Sequence, residues 1–346
     1  MKRLIIVALV LLLAPVLLIA QTFEEYENSI QEFANGVANS LPLNSAIGLT
    51  WGDSYIGQFP HFGIGATVGF SSVPYTAVKP VLSALSLDTT LEASEQFQYI
   101  EQYGAPFPAY AAEARIGGFV LPFDFGVKLG TIPPNVDTTS IVDGVDFDYF
   151  LAGANVRLNL MEEKGLLPEV SVGGGYNYLR ASVGLQGLAG GDITIDQFTN
   201  PVDQSTFDLI LTDPTVEYFW QANVIDLQAQ ASKKILLFTP FVGAGASIGF
   251  GSAGGGLSSN LTTSGGDLTQ QEIDAINAAL AEQEGETLPE LGENGFSVTS
   301  DMPAGWAFRA YGGVGINLLI VKIDITGMYD FIGQNYGLTV GARVQL

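Results

Sequence analysis

The stretch HFGIGATVGF, His61 to Phe70, decides the fold. Its even positions hold Phe62, Ile64, Ala66, Val68 and Phe70, and its odd positions hold His61, Gly63, Gly65, Thr67 and Gly69. A period of two sends successive side chains to opposite faces of a strand, here one apolar and one small or polar. The same rule holds from Phe123 to Gly130, where Phe123, Phe125, Val127 and Leu129 alternate with Asp124, Gly126, Lys128 and Gly130. It returns at the C-terminus, where Tyr336, Leu338, Val340, Ala342, Val344 and Leu346 alternate with Gly337, Thr339, Gly341, Arg343 and Gln345.

Comparable runs lie at roughly 44–57, 109–117, 145–160, 167–182, 215–230, 236–250, 304–317 and 319–330, which makes eleven candidate strands. Most have about 10 to 16 residues, against about 5 to 6 in soluble sheets, and suit a tilted membrane crossing. The run 215–230 changes phase near Val224 and Ile225, the pattern expected of a bulge or of a misjudged strand end. Short connections near 118–121, 161–166, 231–234 and 317–319 alternate with long ones at 71–108, 131–144, 183–214 and 251–303. Short periplasmic turns opposite long extracellular loops are the asymmetry of outer-membrane barrels. The fold predicted is therefore all-β, an antiparallel transmembrane β-barrel of about 10 to 12 strands over residues 44–346. The number is ten without 44–57, eleven if Phe59, Pro60 and His61 form another short turn, and twelve if a strand lies within 72–108.

Composition fits this class. Mean hydropathy is +0.29 and charged residues are 14%, yet no second apolar run is long enough for a membrane helix. The apolar residues must then fill a large core or face lipid from strands. With 36 acidic against 13 basic residues, nucleic acid is not an expected partner. The chain has no cysteine, hence no lipoprotein attachment site, disulfide framework or thiolate metal site. Residues 1–20 carry Lys2 and Arg3 before an apolar run from Leu4 to Ile19 and end at Ala20, as a cleavable signal peptide does; a retained apolar anchor is the alternative. Signal-directed export to a bacterial outer membrane follows, with outer-membrane lipid and the barrel assembly machinery as expected partners.

Residues 21–43 form a separate unit. Phe23, Tyr26, Ile30, Phe33, Val37 and Leu41 recur at spacings of three and four, and Glu24, Glu25, Glu27 and Glu32 crowd the start. This predicts an amphipathic helix over 23–40, about 25 Å long and comparable to a barrel's apolar band. A second helix is expected in the longest loop, where Thr269 and Glu272 make a capping box before Ile273, Ile276, Ala279 and Leu280.

The stretches GLTWGDSYIGQFPHFGIGATVGF (Gly48 to Phe70) and EARIGGFVLPFDFGVKLG (Glu113 to Gly130) resemble a porin-like family of outer-membrane barrel proteins of spirochaete type. The resemblance covers most of residues 23–346. It implies a barrel and assigns no chemistry.

If the small and polar face lines the lumen, the wall contributes Arg115, Lys128, Arg157, Arg309, Lys322 and Arg343 against Glu113, Asp124, Glu217 and Asp324. One reading is that Glu24, Glu25, Glu27 and Glu32 dock on those cations and make the helix a plug or gate. The other is that wall charges pair across strands while the helix rests in the periplasm. Inward glycines such as Gly63, Gly65, Gly243, Gly245, Gly249, Gly313 and Gly315 leave space for a pore, a ligand or a plug, or simply permit strand bending. Gly243, Gly245 and Gly249 miss the dinucleotide spacing and precede no helix.

Asp143, Asp146 and Asp148 could gather Ca²⁺, although a solvated acidic loop is the commoner explanation of such a cluster. His61 is the only histidine, which leaves no histidine cluster for zinc and no histidine pair for acid–base work. No metal, cofactor or enzymatic role is expected. The first functional expectation is a channel or pore for small solutes or apolar ligands. The alternative is a non-conducting surface or adhesive barrel that displays acidic loops.

Overall fold

The computed structural model describes residues 23–77, 79, 97–132, 145–185, 193–199, 206–263, 266–267, 270, 273–274, 291–292 and 295–346. The stretch read as a signal peptide, 1–20, lies outside the described residues, as do Thr269 and Glu272.

Ten antiparallel strands close into a barrel: β1 Phe62–Val73, β2 Ala105–Gly117, β3 Phe123–Thr131, β4 Val145–Met161, β5 Glu169–Leu185, β6 Thr206–Ser232, β7 Phe238–Thr263, β8 Gly305–Leu318, β9 Val321–Asp330 and β10 Asn335–Gln345. Each pairs with its sequence neighbour, and β1 closes on β10 with Gly63 opposite Gln345 and Ser71 opposite Gly337. The expected fold class is observed, with ten strands. The stretch 44–57, expected as a strand, is not part of the wall. Positive φ at Gly48, Leu49 and Gly57 breaks an extended path there, and residues 46–49 and 51–56 are buried inside the barrel. Within 72–108 the described residues hold the end of β1, the helix Phe97–Tyr103 and the start of β2.

Burial follows the predicted alternation. In β1, Phe62, Ile64, Val68 and Phe70 are exposed while Gly63, Thr67 and Ser71 are buried, and β3, β9 and β10 behave alike. A wall with its apolar side chains outside and its charges inside is inverted for water and correct for lipid. β9 has ten residues. At ~3.3 Å per residue and a tilt of ~40°, that is a height of about 25 Å, the thickness of an outer-membrane apolar band.

β6 and β7 are far longer, at 27 and 26 residues. They rise well beyond such a band on the long-loop side, where Ile193–Thr199 pairs with β6 and Gly295–Asp301 with β7. The bulge expected near Val224 is absent. Register with β5 is unbroken from Val216 to Ser232, and from Tyr218 to Ser232 the even positions point inward. What changes is the solvent. Low in the barrel the inward residues are Asp226, Gln230 and Ser232 and the outward ones Ile225 and Leu227; higher up, Tyr218, Trp220, Ala222 and Val224 point in while Gln221 and Asn223 point out. The upper barrel has the interior of a water-soluble protein, the lower barrel that of a membrane one.

The N-terminal segment enters this lumen. Helix α1 (Phe23–Ala38) packs in the upper half, with the Phe33 ring 5.7 Å from Tyr218 and 6.1 Å from Trp220. A short helix α2 (Leu41–Ser45) follows, entirely buried, and residues 46–57 run on to the short-turn mouth where β1 begins.

The inversion fixes where lipid ends. Val340→Arg, on the outward face of β10, should lower the stability of the barrel in bilayers by about 2–4 kcal/mol. Ser182→Arg, outward on upper β5, should change it by less than about 0.5 kcal/mol. Guanidinium titration of vesicle-embedded barrels checks both, and equal costs would remove the boundary.

Candidate functional site

The lower lumen is built from two partners, the polar face of the wall and the backbone of residues 45–57. Room for the second comes from absent side chains. A Cβ on Gly63 would stand 2.8 Å from the Trp51 ring, and one on Gly52 would stand 2.5 Å from the Asp324 carboxylate.

The wall then satisfies a backbone with no ladder of its own. Lys128 Nζ donates to the carbonyls of Ser45 at 2.6 Å and Ile47 at 2.7 Å. Glu113 accepts the Leu49 N–H at 2.7 Å and the Trp51 indole N–H at 2.5 Å, and also the Thr67 hydroxyl. Gln230 donates to the Trp51 carbonyl at 2.7 Å, and Arg157 to that of Asp53 at 2.8 Å. Ser232 accepts the Ser54 N–H, Glu169 that of Tyr55, and Asp124 that of Ile56, at 2.9 to 3.2 Å. Buried peptide groups need such partners, and here side chains rather than strands provide them.

Charges are compensated within the same volume. Asp124 binds Arg115 at 2.5 Å and Arg157 at 2.8 Å, and Asp226 binds Arg309 at 2.6 Å beside Ser247. Arg343 pairs with Asp324 and, at 2.9 Å, with Asp53. Lys322 reaches the same Asp53 oxygen at 2.6 Å, and Lys234 from the β6–β7 turn approaches the other at 3.8 Å. The Trp51 ring lies between the Arg343 and Arg115 guanidiniums, 4.5 and 5.4 Å from its centroid.

Arg115, Lys128, Arg157, Arg309, Lys322, Arg343, Glu113, Asp124 and Asp324 are thus all buried on the lumen face, where the alternation put them. Glu217 is not; it occupies the outward face of β6, and Asp226 supplies the inward acid. Of the helix glutamates read as possible docking groups, only the Glu32 side chain is described. Glu32 is exposed, and the side chains of Glu24, Glu25 and Glu27 lie outside the described residues. The lumen cations engage wall acids, backbone carbonyls and Asp53. Asp53 and Trp51 went unread because the stretch was taken for a strand, although Gly48, Gly52 and Gly57 already interrupt it.

At the short-turn mouth, Glu163 links two turns. The Lys234 backbone N–H donates to it at 3.1 Å and Lys233 lies at 3.2 Å. That N–H, with Lys233, holds its carboxyl below the usual carboxylate range against a smaller effect of burial. Of the three loop aspartates, Asp148 pairs with Arg180 on the exposed surface and Asp143 lies outside the described residues. Among the described residues no group of three or more His, Asp or Glu is placed to hold a metal.

A profile described as Lsa36-like matches residues 122–346. No curated protein matches the chain. Similar solved structures include the outer-membrane protease OmpT of Escherichia coli, at 8% identity, a TM-score of 0.41 and coverage of 84% of this chain and 98% of that one. The translocator domain of the autotransporter NalP of Neisseria meningitidis aligns at 9% identity, TM-score 0.31, over 83% and 88%. A mutant of the monoaromatic hydrocarbon channel TodX aligns at 7% identity, TM-score 0.21, over 82% and 89%. At these identities the likeness concerns fold. The expectation that the chain is not an enzyme is nevertheless corrected, because the similar barrels include a protease and the architecture excludes no such chemistry.

Asp124 carries two buried guanidiniums, so Asp124→Ala should destabilise the barrel by about 3–5 kcal/mol, leaving Arg115 and Arg157 uncompensated. Denaturant unfolding in detergent measures it, and a loss below about 1 kcal/mol would show that water replaces the carboxylate.

Proposed function

The chain belongs to the Lsa36-like family, and we propose that it is an outer-membrane transport protein, reached by signal-directed export, whose lumen is closed at rest by its own residues 23–57. The observation that carries this is the Asp53 contact with Lys322, Arg343 and Lys234. A barrel closed for purely structural reasons needs only bulky wall side chains, as in small barrels. Here the lower wall is thinned with glycine, and the stopper is held by ion pairs and hydrogen bonds, contacts that water can replace one by one.

The cargo follows from the same charges. With the segment gone, the described wall keeps six buried cations against five buried acids, Glu113, Asp124, Asp226, Asp324 and Asp330, with Glu169 facing the same lumen. An emptied lumen of that near balance favours small polar solutes over ions of either sign. The second reading, a non-conducting barrel for surface display, draws support from the projecting strands β6 and β7.

Planar-bilayer recording separates the two. Wild-type barrels should be mostly shut. Asp53→Asn, which removes the latch charge, and Gly52→Val, which sets a side chain against Asp324, should each raise open probability about tenfold or more, roughly 1.4 kcal/mol in the closing equilibrium. Reversal potentials in a salt gradient should lie near zero, and strong preference for one sign of ion would count against a balanced lumen. Folded variants that never conduct would leave the display reading standing.

A further inference from the structure

Three of the short turns share one geometry. Lys164 faces Leu167, Ile235 faces Phe238 and Leu318 faces Val321, each across a two-residue loop. The first loop residue has φ of 58° at Gly165, 55° at Leu236 and 59° at Leu319. That region suits glycine, and a leucine there is strained. Both leucines are also almost wholly bare, at 95% and 98% exposure, as are Leu166 at 97% and Val120 at 83%. At the opposite end the β9–β10 turn places the polar Gln334 in the same region, at φ 53°, whereas this end places leucine there. Isolated exposed leucines are ordinary, but a ring of them on every short turn is not.

We infer that the short-turn end of the barrel is immersed in the adjoining lipid leaflet, with these tips among the acyl chains beneath the headgroups. In the β8–β9 and β6–β7 turns the tips continue the outward apolar wall through Leu318, Val321 and Phe238, while Glu162 and Lys164 stand exposed beside the Leu166 tip. At the opposite end the outward face turns polar on β5 and β6, at Arg180 and Gln221, and among the described residues apolar exposure beyond the wall strands is confined to Phe331 and Ile332 of the β9–β10 turn and to Tyr99 and Tyr103. Lys164 is exposed and Lys234 half-exposed beside the tips, where long cationic side chains reach phosphates from apolar positions. The inference rests on the membrane reading given under the proposed function.

The chain has no cysteine, so single labels are clean. Leu166→Cys and Val120→Cys, with Val340→Cys as a mid-wall control, would carry a bimane fluorophore in vesicles bearing iodide on both sides. Brominated phosphatidylcholine should quench the tip labels at least about twofold while iodide reaches them poorly. Tip labels open to iodide and indifferent to bromine, with Val340 quenched by bromine, would overturn the inference and leave the membrane reading intact. Tip labels shielded from both quenchers would mean a second copy or another protein covers them, which also overturns it. An unquenched Val340 label would overturn both readings. Independently, Leu236→Gly with Leu319→Gly uses the residue that Gly165 already places in this turn. Stability in detergent should hold while the fraction inserting into vesicles falls several-fold; unchanged insertion would count against immersion.

Discussion

Everything in the lower barrel depends on one condition, that cations buried on the wall must meet negative charge or carbonyl oxygen inside a space closed to water. Desolvating a guanidinium or ammonium costs several kcal/mol unless partners replace its hydration. The wall acids meet part of that demand, Asp124 for Arg115 and Arg157 and Asp226 for Arg309. Lys322 and Lys128 find their near partners in the inserted segment, in the Asp53 carboxylate and the carbonyls of Ser45 and Ile47. Segment and wall are therefore two halves of one electrostatic structure.

That condition also explains why the wall is thin. A ten-strand barrel is wider than the eight-strand barrels whose side chains fill the middle. Glycine at Gly63 and Gly315 sets the wall back where Trp51 and Gly52 pass. The upper half solves the same problem differently. Beyond the lipid band the outside is wet, so Tyr218, Trp220 and Val224 turn inward and seat Phe33 and Ile30 of α1 as an ordinary apolar core.

Much of this was legible in sequence because period-two alternation is a local signal with one cause. Phe62 to Phe70 and Tyr336 to Leu346 declared their faces, and the same rule placed Arg115, Lys128 and Arg343 inside. Reading failed where that cause changed. In β6 the solvent outside the strand switches from lipid to water, so an unbroken strand looked bulged and Glu217 was assigned the wrong face. In 44–57 the lumen wraps the segment on all sides, so apolar and polar residues are buried alike and their spacing marks no face. A buried irregular segment has no period to read; only the glycines hint at it.

The path of the segment limits how it can move. Its upper end, α1, sits among the projecting strands, and its lower end joins β1 at the short-turn mouth, so it spans the lumen between two attachments. One attachment is covalent. Complete clearance then has one direction, in which α1 is drawn down through the lumen and out beside Phe62, because the chain cannot leave upward without pulling β1 from its pairing with β10 and β2. On that route the polar contacts of 46–57 must open before the apolar seat of α1 is disturbed. Asp53, bridged to Lys234 in a short turn, lies among those first contacts. A displacement limited to 46–57 leaves Phe33 in place between Tyr218 and Trp220 and so can reverse without refolding. In the proposed gate, the apolar upper half keeps the segment in register while the polar lower half opens and closes.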